Sequence, residues 1–111
     1  MQPRSIFDLQ AELCKTMGNP ARLRVVHTLR EGPKCVTEIV NETRLAQAKV
    51  SQHLGVLRAH GIVTTERQGR EIIYRIANPK IVNVCDLMRQ VLREQAEERS
   101  EIMQALALEI G

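Results

Sequence analysis

The hydrophobic pattern of the chain changes period at Gly61, and this limits the possible folds more than any other feature. Ahead of Gly61, apolar residues recur every three or four positions, as on one face of a helix. After it, IVTTERQGREIIYRI alternates in the manner of strands with one covered face. Past Asn78-Pro79 the helical period returns. A short β-hairpin is therefore set between two helical blocks. The predicted fold is mostly α with a β-hairpin (α+β), in the order α-α-α-α-β-β-α.

Ile6, Leu9, Leu13 and Met17 predict a first helix over about residues 5 to 17, stopped at Gly18. Asn19-Pro20 supplies an N-cap and a first-turn proline for a second helix, ARLRVVHTLRE. That helix buries Leu23, Val26 and Leu29 or their neighbours and ends at Gly32-Pro33. A short third helix, from about Val36 to Glu42, turns Val36, Ile39 and Val40 inward. Asn41 to Ala46 reads as a turn. LAQAKVSQHLGVLRAHG then forms a fourth helix ending at Gly61, with Val50, Leu54 and Leu57 as its buried stripe. Strands follow at about 62 to 67 and 71 to 76, joined around Gln68-Gly69. A long last helix carries Ile81, Val84, Leu87, Met88, Val91 and Leu92, fades through a polar stretch, and resumes at Ile102, Met103 and Leu106.

At 111 residues the chain suits one domain, 1–111, with a workable core but not a generous one. Aromatic residues are limited to Phe7 and Tyr74, so the core must be aliphatic, and dimerisation would enlarge it. No apolar run approaches the ~20 residues that span a bilayer, and no secretory leader pattern opens the chain. Three cysteines, far apart and odd in number, argue against a secreted disulfide framework. The expectation is a soluble, cytoplasmic protein with reduced thiols.

The outer face of the fourth helix bears on function. Opposite its buried stripe stand Ala48, Ser51, Gln52 and Gly55, small or amide-bearing where a solvated face carries Glu and Lys. Between residues 44 and 75, six cations meet only Glu66 and Glu71, whereas the segment from residue 79 onward is acidic on balance. Two short helices, a tight turn and a basic hairpin describe a winged helix-turn-helix, whose second helix can enter the DNA major groove. Gln47 and Gln52 suit adenine edges, and Lys49 suits phosphate or guanine. Ala48 and Ser51 allow close approach. Arg67 and Arg70 at the hairpin tip could lie along the backbone or minor groove. Winged helices also serve as protein-interaction modules, and helix four could be an ordinary surface helix. No nucleophile-base pair, phosphate-cradling glycine loop or metalloprotease motif is present, so an enzyme is not expected.

The segments MGNPARLRVVHTLREG, CVTEIV, LAQAKVSQHLGVLRAHGIV and RQGREIIYRIANP resemble the ArsR/SmtB family of bacterial and archaeal repressors, over about residues 12 to 85. The resemblance implies a homodimeric repressor paired through its first and last helices. Such a repressor binds a palindromic operator and releases it when an inducer arrives. It carries DNA contact onto Gln47, Ala48, Lys49, Ser51 and Gln52, with Arg67 and Arg70 in the wing. His53 stands at the motif's histidine and reads as structural. Ala46 departs from the pattern, which has serine as the helix N-cap.

The positions corresponding to the family's zinc-type site hold Asn78, Lys80, Val91 and Glu94, which cannot form it. Of the arsenic-type C-V-C-x-x-C cluster only Cys35 remains, with Thr37 and Val40 in place of the other thiols. A soft metal or metalloid ion (arsenite, antimonite or mercury first) would need Cys85 or Cys14 beside Cys35. The alternative is oxidation or persulfidation of the same thiols, with a disulfide or polysulfide bridge shifting the dimer. Cys35, at or near the start of the third helix and next to Lys34, is the best candidate for a reactive or ligating thiol. Cys14 reads as a core or interface residue, and Cys85 as buried packing.

Overall fold

The computed structural model describes residues 4–110. Its elements are α1 (Ile6–Met17), α2 (Pro20–Leu29), β1 (Lys34–Cys35), α3 (Val36–Thr43), α4 (Gln47–Ala59), β2 (Val63–Gln68), β3 (Glu71–Ile76) and α5 (Lys80–Ile110). Local chemistry sets most helix starts. Ser5 caps α1: its Oγ accepts from the Asp8 N–H at 3.1 Å, and its own N–H donates to the Asp8 carboxylate at 3.0 Å. The Ser5 N–H first, and then the Ser5 hydroxyl donating to the same carboxylate at 3.0 Å, hold the Asp8 carboxyl below its usual range. Asn19 caps α2 by accepting from the Arg22 N–H at 3.1 Å, and Pro20 follows in the first turn. Cys35 opens α3, its N–H donating to the Glu38 carboxylate at 3.1 Å. Ala46 opens α4 with no side-chain cap, a loss of about 1 kcal/mol relative to serine.

Val25, Val26, Leu29, Ile39, Val50, Leu54, Leu57, Ile62, Val63, Met17 and Cys85 form one core cluster, with Leu23, Val36 and Val40 packed partly against it. Helix α2 is the central piece, packing on α3, α4 and the sheet. Arg22 Nε donates to the Thr16 carbonyl at 2.6 Å and ties the end of α1 to α2. Asp86 on α5 pairs with Arg30, the C-cap residue of α2, at 2.7 Å, which fastens α5 to α2, and with Arg89 within its own helix.

Several expectations shift. A strand absent from the sequence reading, β1, pairs antiparallel with β3 (Lys34 with Tyr74, Cys35 with Ile73), making a three-stranded sheet in the order β1-β3-β2. The hairpin tip lies one residue later than expected: Gln68 pairs with Glu71, leaving Gly69-Arg70 as the turn. Gly69 supplies the positive φ (62°) that a two-residue hairpin loop requires. Helix α3 runs on to Thr43, and α4 stops at Ala59 ahead of Gly61, whose φ of 72° cannot continue a helix.

On α1 only Met17 and Thr16 are buried, while Ile6, Phe7, Leu9 and Leu13 are exposed. On α5, Val84, Leu87, Met88, Val91 and Leu92 are exposed in turn. An apolar surface of this extent on a small fold marks an interface.

Candidate nucleic-acid interface

Helix α4 is fixed from beneath. Val50, Leu54 and Leu57 are fully buried, and this sets which residues face out. Gln47, Ala48, Lys49, Ser51, Gln52 and Gly55 are all exposed. A Cβ placed on Gly55 would meet nothing within 4 Å, so this face is open. His53 lies half-buried at its edge. Burial first, then the nearby positive charges of Arg22 and Lys49, hold its imidazole below the usual range. Its Nδ1 is buried and has no hydrogen-bond partner among the described residues.

Both wing arginines are exposed, but they are not equivalent. Arg70 is a tip residue. Arg67 Nε donates to the Gly69 carbonyl at 3.3 Å and braces the turn from the strand below. Arg75 is taken up by Glu66 at 2.7 Å. The cations left without an acidic partner among the described residues therefore include Lys49 and Arg58 on α4 and Arg70 on the wing.

The cysteines lie on different elements, Cys14 on α1, Cys35 at the start of α3 and Cys85 on α5. Cys14 is exposed on α1, so within one subunit it is no core residue, because the apolar face beside it has nothing packed over it. Cys85 is buried against the core, and burial pushes its thiol pKa up. Cys35 is also buried, beside a cavity of about 250 Å³ lined further by Thr37, Arg70, Glu71 and Tyr74. Lys34 is turned away to ion pairs with Glu42 at 3.5 Å and Glu31 at 3.9 Å. Among the described residues no three His, Cys, Asp or Glu side chains gather to hold a metal ion.

A helix-turn-helix of α3 and α4, flanked by a basic β-hairpin, defines a winged helix-turn-helix protein. The profile of bacterial regulatory proteins of the arsR family matches residues 19–65. The HTH-type transcriptional repressor SmtB of Mycobacterium tuberculosis is 43% identical over 82 residues, covering 74% of this chain and 61% of that repressor. The chain thus spans less than two thirds of that relative's length. HTH-type transcriptional regulator Rv0081 of the same organism is 35% identical over 107 residues, covering 96% of this chain and 94% of the relative. Its crystal structure superposes with a TM-score of 0.77 at 36% identity, over 87% of this chain and 98% of that one. The solution structure of Mb0332 from Mycobacterium bovis has a TM-score of 0.74 at 27% identity, over 88% of this chain and 95% of that one. It is described as the homodimeric winged helix-turn-helix DNA-binding domain of a possible ArsR-family regulator. The chain belongs to the ArsR family of transcriptional regulators, and these relatives are regulators rather than enzymes.

Proposed function

We propose that the chain is a cytoplasmic, homodimeric repressor that sets α4 into the major groove of operator DNA and lays its wing on the backbone. Thiol chemistry at Cys35 releases it. The observation that carries this reading is the exposed, amide-bearing and acid-free face of α4, set by a buried stripe, with Lys49 and Arg58 on the helix and Arg70 on the wing. Gln47 and Gln52 read adenine edges, Ala48 and Ser51 let the helix approach, and Lys49 and Arg70 meet phosphate. Arg67 acts chiefly by shaping the tip that presents Arg70. A protein-binding module would need an apolar or acidic face in the same place.

The test begins with an operator selected from random duplexes. Gln52→Ala should lose about 1–3 kcal/mol of discrimination at one base pair while leaving non-specific binding unchanged. Arg70→Ala should weaken binding to every sequence alike and make its salt dependence shallower by about 0.9 per contact. Gel shifts in which neither change matters would refute the assignment.

For release, the position of Cys35 favours a single control point. Cys35 lines the same cleft as the wing-tip Arg70, so a group added to its thiol would stand beside the wing and change what Arg70 faces. The inducer classes are a soft metal or metalloid ion and a thiol oxidant. An ion bound by Cys35 would need a second thiolate, from Cys85 or Cys14 of the same or the partner subunit, at ligand distance. A disulfide or polysulfide bridge between two of these thiols would need the same convergence, whereas oxidation of Cys35 alone to a sulfenic acid by a thiol oxidant would not. Operator release titrated with arsenite, antimonite, mercury, cadmium and an oxidant should occur in wild type and fail in Cys35→Ser. An unchanged response of Cys35→Ser to every one would overturn control by this thiol.

A further inference from the structure

One backbone position between the two helices of the reading head is held against its own preference. Arg44 caps the C-terminus of α3 at φ 61° and ψ 17°, the left-handed region, and among the described residues no other non-glycine residue has a positive φ. A side chain there crowds its own carbonyl, so glycine, or failing that asparagine, suits such a cap. The turn itself is well determined. The Arg44 N–H donates to the Val40 carbonyl at 2.8 Å. The Thr43 hydroxyl donates to the Ile39 carbonyl at 2.7 Å and accepts from the Leu45 N–H at 3.3 Å. Leu45 then packs against the core. The fold demands a left-handed residue at position 44, and nothing in the fold demands that it be arginine.

The side chain gains little within the free protein. It is exposed, and the neighbouring acid Glu42 is already paired with Lys34 at 3.5 Å. No ion pair among the described residues engages it. Two residues separate Arg44 from Gln47, so its Cα, three Cα–Cα steps away, stands within about 11 Å of the first reading residue. A helix that enters the major groove presents its N-terminal residues to the bases, and the turn ahead of it passes over the sugar-phosphate rim. We infer that Arg44 is a phosphate-contacting residue, an arginine that raises DNA affinity at a turn where glycine would fold better. The inference rests on the proposed reading of α4.

Arg44→Gly separates the two roles, because relief of the backbone and loss of the cation act in opposite directions. Binding is read by fluorescence anisotropy on a labelled mixed-sequence duplex of about three helical turns, since phosphate contacts do not depend on sequence. Arg44→Gly is expected to keep its Tm or raise it by up to roughly 5 °C. Its affinity should fall roughly five-fold per engaged protomer near 0.15 M salt, with a salt slope shallower by about 0.9 per contact. Arg44→Lys should keep most of the slope. Wild-type affinity and slope in Arg44→Gly would overturn the inference, as would an affinity loss that merely follows a lower Tm. If the wild type binds duplex without salt dependence, the reading of α4 falls, and this inference falls with it.

Discussion

Leu54→Ala is expected to lower the unfolding free energy by about 2–5 kcal/mol, a large share of the roughly 5–15 kcal/mol typical of a natural domain. Leu54 is fully buried at the middle of α4 and belongs to the core cluster shared with α2, α3 and the start of the hairpin. Truncation removes the transfer free energy of its methyl groups and leaves a cavity that an aliphatic core of this size has few side chains to fill. The opposite face behaves differently. Gln52 is exposed, so Gln52→Ala should change stability by no more than about 0.5 kcal/mol while altering base preference. Urea unfolding followed by circular dichroism checks both. A Leu54→Ala midpoint equal to that of the wild type would mean that α4 is not held by this stripe, and the rigid reading face would lose its basis.

That contrast shows why the reading helix was legible in the sequence. Its signal is the difference between two faces of one helix, and Val50, Leu54 and Leu57 carry it at the right spacing for any fold that buries them. The hairpin was legible for a similar reason, since alternation over six residues fixes a covered face. The strand β1 was not. Two residues, Lys34 and Cys35, cannot show an alternation, and their pairing with β3 depends on where α2 delivers the chain. The hairpin tip moved by one residue because Gln68-Gly69 and Gly69-Arg70 both satisfy the turn chemistry. Cross-strand register from Val63↔Ile76 onward decides between them. That choice changes the site: it makes Arg70 a tip residue and gives Arg67 to the turn. The strain at Arg44 was invisible because φ is a property of the path, and arginine carries no mark of it. The burial of Cys35 and the exposure of Cys14 were equally out of reach, since each depends on packing between elements far apart in the chain.

The second large effect is expected at the exposed face of α5. Val91 is about half exposed in the subunit (50%), with Val84, Leu87, Met88 and Leu92 around it on the same helix. In a two-fold dimer built on α1 and α5, each residue of this face is buried twice, once in each protomer. Val91→Glu would then place two carboxylates in an apolar seam, each costing several kcal/mol unless paired. The subunit fold should survive, because Val91 is not part of its core cluster and the Arg30–Asp86 ion pair still holds α5 to the end of α2. The expected result is a protein with wild-type circular dichroism that sediments as a monomer at micromolar concentration. Operator affinity should fall by about 10²–10⁴, since the second half-site is no longer bound by a linked reading head. Sedimentation velocity and gel shift on one preparation decide the matter. A Val91→Glu protein that remains dimeric and keeps full operator affinity would place the interface elsewhere. The apolar surface of α1 and α5 would then need a different occupant.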